Sequence, residues 1–120
     1  MKTDLKSLME SANAVVKSCT VAEAREKVGN DEFVFIDVRE KQEMEVDGHV
    51  PGSVLVPRGM LEFMLDKNSL YYNPIFDSPK TFIFYCKSGG RSVLAAHRAI
   101  QMGLQNVMNM QGGFTAWSAS

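Results

Sequence analysis

Apolar and polar positions alternate along this chain in a pattern that changes period several times. Leu5, Leu8, Met9, Ala12 and Val16 mark one face of a 3.6-residue repeat, which predicts an amphipathic helix over Met1 to Lys17, ending near Cys19. Thr20 then caps a second short helix, Val21 to Lys27, because its hydroxyl can accept the Glu23 N–H. Gly29-Asn30 stops that helix, with Gly29 free to turn left-handed. Phe33-Val34-Phe35-Ile36, ending at Asp37, is an unbroken apolar run, the pattern of a strand buried on both faces. Val54-Leu55-Val56 is a shorter strand between Pro-Gly and Pro turn signals. Thr81 to Tyr85, β-branched and aromatic throughout, is the strongest strand. Ser92 to Met102 predicts a helix that Gly103 stops. Asn106 to Met110 follows as a strand, and Gly113 to Trp117 as a closing helical turn or two.

Continuous apolar strands separated by helices predict an α/β fold: a small, mainly parallel β-sheet flanked by helices on both faces. In such sheets, sites form outside the carboxyl ends of the strands. The Asp66 to Lys80 stretch reads as a long surface connection that Tyr71, Tyr72 and Phe76 pin to the core. The acidic run Asp37, Glu40, Glu43, Glu45 and Asp47 reads as a solvated face.

Length and composition narrow the function classes. At 120 residues the chain suits one domain, and 45% hydrophobic with 22% charged residues is ordinary for a globular one. A net charge of -1 offers no global basic field, so nucleic acid is not an expected partner. No stretch approaches the ~18 apolar residues of a membrane span, and the N-terminus lacks a signal-peptide pattern. The expected location is therefore the cytoplasm. The 2 cysteines, Cys19 and Cys86, lie far apart and form neither a CxxC pair nor half of a zinc site, so each acts, if at all, as a thiol.

One segment concentrates chemistry: Cys86-Lys87-Ser88-Gly89-Gly90-Arg91-Ser92, between the strongest strand and the clearest helix. A cysteine there faces the N-terminus of the next helix, whose unpaired N–H groups favour an anion. Gly89 and Gly90 expose backbone amides and permit φ > 0, so the loop can curl its N–H groups inward. Lys87 and Arg91 add positive charge. Each feature favours a thiolate, whose pKa can fall from about 8.5 to ~3.5–7.5 in such surroundings. The bland alternative, a buried cysteine before a glycine-rich turn, leaves this crowding unexplained. A nucleotide P-loop fits poorly, since no Lys-Ser/Thr follows the second glycine.

These residues match the C-x-x-G-x-R-S loop of rhodanese-like sulfurtransferases, and three further segments fall in that family's order. Asp37-Val38-Arg39-Glu40 resembles its D-V-R-E, Gly48-His49-Val50-Pro51-Gly52-Ser53 its G-H-I-P-G-A, and Gly112-Gly113-Phe114-Thr115-Ala116-Trp117 its closing G-G-x-x-x-W. The resemblance covers about Thr20 to Trp117. It implies a helical extension over 1–18 and a rhodanese-like domain over 19–120. It also implies persulfide chemistry without metal or organic cofactor. Cys86 would take a sulfane sulfur from a small donor such as thiosulfate and pass it to cyanide, a thiol or a protein sulfur-relay partner. The amides of Lys87 to Ser92 would stabilise the anion, and Lys87 and Arg91 would favour an anionic donor.

Asp37 and Arg39 read as supporting residues. Asp37 ends a strand near the loop and could accept from its amides; Arg39 could pair with a carboxylate or reach the pocket. His49 reads as fixing a turn, His97 and Cys19 as packed, and Trp117 as a core anchor. Two rivals compete. Phosphatase or arsenate-reductase enzymes of the same fold carry a longer C-x5-R loop, whereas the sixth residue after Cys86 is Ser92. A non-catalytic interaction module of the family would commonly lack the cysteine.

Overall fold

The computed structural model describes residues 2–120. Helix α1 (Leu5–Val15) starts at Asp4, which accepts the Ser7 N–H at 2.8 Å. It ends earlier than its periodicity predicts, because Lys17–Cys19 leave it as an edge strand, β1. Thr20 caps α2 (Val21–Arg25) by accepting the Glu23 N–H, as the sequence predicts, and the Glu23 side chain accepts the Thr20 N–H in return. The helix ends two residues before the predicted Lys27. Gly29 turns the chain at φ +80° into β2 (Phe33–Asp37).

The acidic run from Glu43 on lies in a helix, α3 (Lys41–Asp47), with Glu40 at its N-cap and Asp37 left in β2; the helix's polarity hides it from periodicity. After β3 (Val54–Leu55) and a 3₁₀ turn comes a second helix absent from the sequence reading, α4 (Leu61–Leu65). The connection before β4 (Thr81–Tyr85) holds another 3₁₀ turn, Pro74–Asp77. Of the residues expected to pin it, Phe76 is buried and Tyr72 half-buried, but Tyr71 is 61% exposed. Helix α5 (Gly90–Gln101) begins two residues before Ser92. Strand β5 (Val107–Met110) and helix α6 (Gly113–Ala119) complete the chain.

Every neighbouring pair in the sheet, ordered β1-β5-β4-β2-β3, is parallel. Side chains alternate across a strand, so one sequence serves two cores. Val34, Ile36, Phe82 and Phe84 pack on one face with Ala12 of α1 and Val93, Ala95, Ala96 and Ala99 of α5. Phe35, Ile83, Tyr85 and Met110 pack on the other with Ala24 of α2 and Phe114 and Trp117 of α6. Phe82 and Phe84 are almost fully buried, which stabilises the fold by about 1.5–3 kcal/mol each. Because Ala12 and Val16 belong to the first core, the N-terminal helix packs as part of the sheet's cover. The expected division between 18 and 19 falls inside β1.

The Asp37–Tyr85 register brings the carboxyl ends of β2 and β4 level, and the glycine-rich loop leaves the sheet at that edge. A cleft of about 720 Å³ opens at the opposite edge, lined by Lys17, Phe33, Thr81 and Val107 at the strands' amino ends. It holds no cysteine or carboxylate.

Candidate active site

Cys86 is the first residue after β4, and Gly89 is the N-cap of α5, so three residues must reverse the chain. Gly89 makes this possible at φ +107°, a conformation that a side chain would strain. The resulting turn points the Gly89 N–H at the Cys86 sulfur, 3.1 Å away. The loop's carbonyls are turned elsewhere: Phe114 N–H donates to Cys86 O at 2.8 Å and Thr115 N–H to Lys87 O at 3.0 Å. Gly113 lets α6 approach this closely, since a Cβ there would stand 2.5 Å from Cys86 O.

Two opposing effects act on the Cys86 thiol. Burial raises its pKa, while the Ser92 hydroxyl and amide and the Gly89 and Ser88 amides lower it; the net shift is downward. The α5 N-terminus adds to the same preference for an anion. Cys19 shows what burial does without such donors: helped by Glu23, it pushes that thiol up to about 11. The chain therefore contains one buried thiol tuned for ionisation and one tuned against it.

Ser92, fully buried on α5, places its hydroxyl 2.6 Å from Asn109 Oδ1 and 3.1 Å from Gly89 O. Asn109, a buried polar residue of β5, had no place in the sequence reading; a lone Asn in an apolar strand was the available signal. Ser88 and Lys87 are exposed at the loop's tip, and Gly90 opens α5. Arg91 is engaged by a neighbouring helix while staying within electrostatic reach of Cys86. Its guanidinium forms a bidentate pair with Glu43 of α3, at 2.7 and 2.9 Å. Glu43 was read from sequence as part of a solvated face, yet the pair holds its carboxyl down at about 2.

Asp37 and Arg39 serve one another. Arg39 donates from Nε and Nη2 to the two Asp37 oxygens at 3.0 and 2.8 Å, and from Nη2 to Gly48 O at 2.7 Å. Asp37 also accepts the Arg39 N–H at 3.0 Å and the Tyr85 hydroxyl at 3.0 Å. Asp37 thus takes no amide of the Cys86 loop; its partners are those of a supporting residue. Arg39 does not reach a pocket either: its guanidinium lies 4.5 Å over the Phe114 ring. A buried pair requires this complete set of partners. The Tyr85 hydroxyl receives the Val50 N–H at 3.1 Å, and burial, aided by the Asp37 carboxylate, pushes its pKa up to about 12. The network ties β2, the Gly48 turn and α6 together beneath the loop.

His49 holds its turn through Nδ1, 3.0 Å from Val50 O. His97 is half-buried along α5, and Trp117 is buried with the Arg25 guanidinium stacked 4.1 Å over its ring. Among the described residues, no three His, Cys, Asp or Glu side chains gather as metal ligands would.

The family model for the Rhodanese-like domain matches residues 20–120. The chain is 32% identical over 105 residues to the thiosulfate sulfurtransferase GlpE of Pseudoalteromonas translucida, covering 87% of this chain and 90% of that protein. It is 30% identical over 103 residues to the putative sulfurtransferase YtwF of Bacillus subtilis, covering 85% and 90%. A solved structure from Rhodopseudomonas palustris, a protein of unknown function described as a possible tyrosine phosphatase, superposes with a TM-score of 0.93. That chain is 42% identical, and the match covers 99% of this chain and 92% of that one.

Proposed function

This chain belongs to the rhodanese-like domain family, and from that premise we propose that it is a sulfurtransferase carrying a sulfane sulfur on Cys86. The observation that carries the reading is a buried thiol with a lowered pKa and the Gly89 N–H 3.1 Å from its sulfur. The Cys86 thiolate attacks the outer sulfur of thiosulfate or a related donor. A Cys86 S–S bond forms as the donor's S–S or S–C bond breaks, and the leaving group (sulfite from thiosulfate) departs with the electron pair. Cyanide, a small thiolate or a thiol on a relay protein then attacks the terminal sulfur and releases the Cys86 thiolate.

The residues of the loop divide the work. The amides of Ser88, Gly89 and Ser92 stabilise negative charge on whichever sulfur carries it, while the Ser92 hydroxyl, bonded to Asn109 Oδ1, steadies the loop. Lys87, exposed at the tip, meets the donor, and Gly90 leaves the approach open, with nothing within 4 Å of where its Cβ would be. Arg91 sets the charge of the mouth. Asp37 and Arg39 hold the platform on which the loop sits. The proposed setting is the cytoplasm, where free thiols such as these two persist.

The phosphatase reading arises from the description of the Rhodopseudomonas structure. A phosphate clamp needs a cation at the loop's far end, and that sixth position holds Ser92. Arg91, one place earlier, is committed to Glu43. Parallel assays of thiosulfate:cyanide transfer and p-nitrophenyl phosphate hydrolysis separate the two, using native protein, Cys86→Ser and Cys19→Ser. Transfer that only Cys86→Ser abolishes supports the proposal. Dominant phosphatase activity, or transfer lost in Cys19→Ser instead, overturns it.

A further inference from the structure

The loop taken alone presents two cations, Lys87 and Arg91, to anything approaching Cys86. The fold changes that sum. Arg91 is held by both Glu43 oxygens, and Glu43 Oε1 also accepts the Glu40 N–H at 3.1 Å, closing the first turn of α3. A surface ion pair usually contributes little because two flexible side chains must be ordered together. Here one partner is already fixed by a backbone bond, and the fork is bidentate, a geometry that persists. Glu40 adds further negative charge facing Arg91, and Arg39, itself paired with Asp37, acts on Glu43 more weakly than Arg91 does.

We infer that Glu43 is a specificity-determining residue: by engaging Arg91 it cancels one positive charge at the mouth of the loop. It thereby turns Cys86 away from small dianions and toward sulfane donors of low net charge, such as persulfides of amino-acid or protein thiols. The donor class rests on the sulfur-carrying reading of Cys86; the charge effect does not. Charge at the mouth forms a ladder, highest when Glu43 is neutralised, lowest when Arg91 is removed, and intermediate in the native protein and the double variant.

Iodoacetate and iodoacetamide read this ladder at Cys86, being similar in size and reaction but different in charge. Their rate ratio normalises for the nucleophilicity of the thiolate. In Glu43→Gln the iodoacetate:iodoacetamide ratio rises by roughly two- to five-fold at low salt, and the rise shrinks as salt is added. In Arg91→Ala the ratio falls, and in Glu43→Gln/Arg91→Ala it returns toward the native value. An unchanged or lowered ratio in folded Glu43→Gln overturns the inference. Should that variant not fold, an unchanged or raised ratio in Arg91→Ala overturns it as well. With sulfur donors, kcat/KM for thiosulfate relative to cysteine persulfide rises in Glu43→Gln, chiefly through KM. If donor preference stays fixed while the alkylation ratio moves, the donor class is refuted. If neither donor loads Cys86 in any variant, the sulfur-carrying reading fails while the charge control by Glu43 stands.

Discussion

Gly89 donates its backbone N–H to the Cys86 sulfur across 3.1 Å. That bond exists because a glycine at φ +107° reverses the chain between strand and helix. With the larger contributions of Ser92 and that of the Ser88 amide, it outweighs burial and holds the Cys86 thiol below its ordinary pKa.

Cys86 should therefore alkylate ahead of Cys19 at every neutral pH. The midpoint of Cys86 labelling should lie below the free-cysteine value of about 8.5, and that of Cys19 near 11. Iodoacetamide labelling across pH, with the modified peptides mapped, checks both. A Cys86 midpoint at or above the free value removes the physical basis of the site.

Gly113 is expected to be the glycine that tolerates substitution worst. A Cβ there would meet Cys86 O at 2.5 Å and Lys87 O at 2.6 Å, with φ at +57°. Gly29 has a similar φ of +80° but nothing within 4 Å. Gly29→Ala should cost about 1 kcal/mol of backbone strain, and Gly113→Ala a further ~1–3 kcal/mol from overpacking. Chemical denaturation of both variants gives the comparison, and Cys86 alkylation should slow in Gly113→Ala alone. Equal costs would show that the loop does not rest on α6.

The strands β2 and β4, helix α5 and the loop between them were legible because each depends on neighbours in sequence. Phe33 to Ile36 and Thr81 to Tyr85 are continuous apolar runs, and all the loop's amides lie within a few residues of Cys86. What escaped depends on residues distant in the chain. Strand β1 is three residues long and owes its existence to pairing with β5. Helix α3 has too few apolar positions to show a period, so the partnership of Glu43 with Arg91, 48 positions later, was invisible. Asp37 and Arg39 stand out in the sequence, but their mutual bond depends on side chains from two other elements that enclose it.

Breaking that bond should be costly. Asp37→Asn leaves the Arg39 guanidinium buried at 1% exposure with a neutral partner. Loss of one member of such a pair destabilises by about 3–5 kcal/mol, a fall of roughly 10–20 °C in Tm for a domain of this size. Thermal melting measures it, and the pH midpoint of Cys86 alkylation in the folded variant should not move. A shifted midpoint would make Asp37 a direct partner of the thiol.

Acid should weaken the fold partly through Glu43. Hydrogen bonds from Arg91, opposed by burial and aided by the Glu40 N–H, pull its pKa from 4.5 to about 2. Between those values the unfolded chain binds the proton that the folded chain refuses. The stabilisation is thus complete above 4.5 and is lost as pH falls toward 2. Glu43→Gln should flatten the loss of stability across that window in denaturant titrations. An identical slope in both proteins would mean that the Arg91 pair does not persist in solution.

The most direct test of sulfur transfer is the intact mass of the protein after incubation with a sulfane donor, thiosulfate or cysteine persulfide. A gain of one sulfur atom is expected, mapped to the Cys86 peptide, removed by cyanide, absent from Cys86→Ser and retained in Cys19→Ser. No gain with either donor, or a gain that survives in Cys86→Ser, would contradict the assignment of Cys86 as the sulfur carrier.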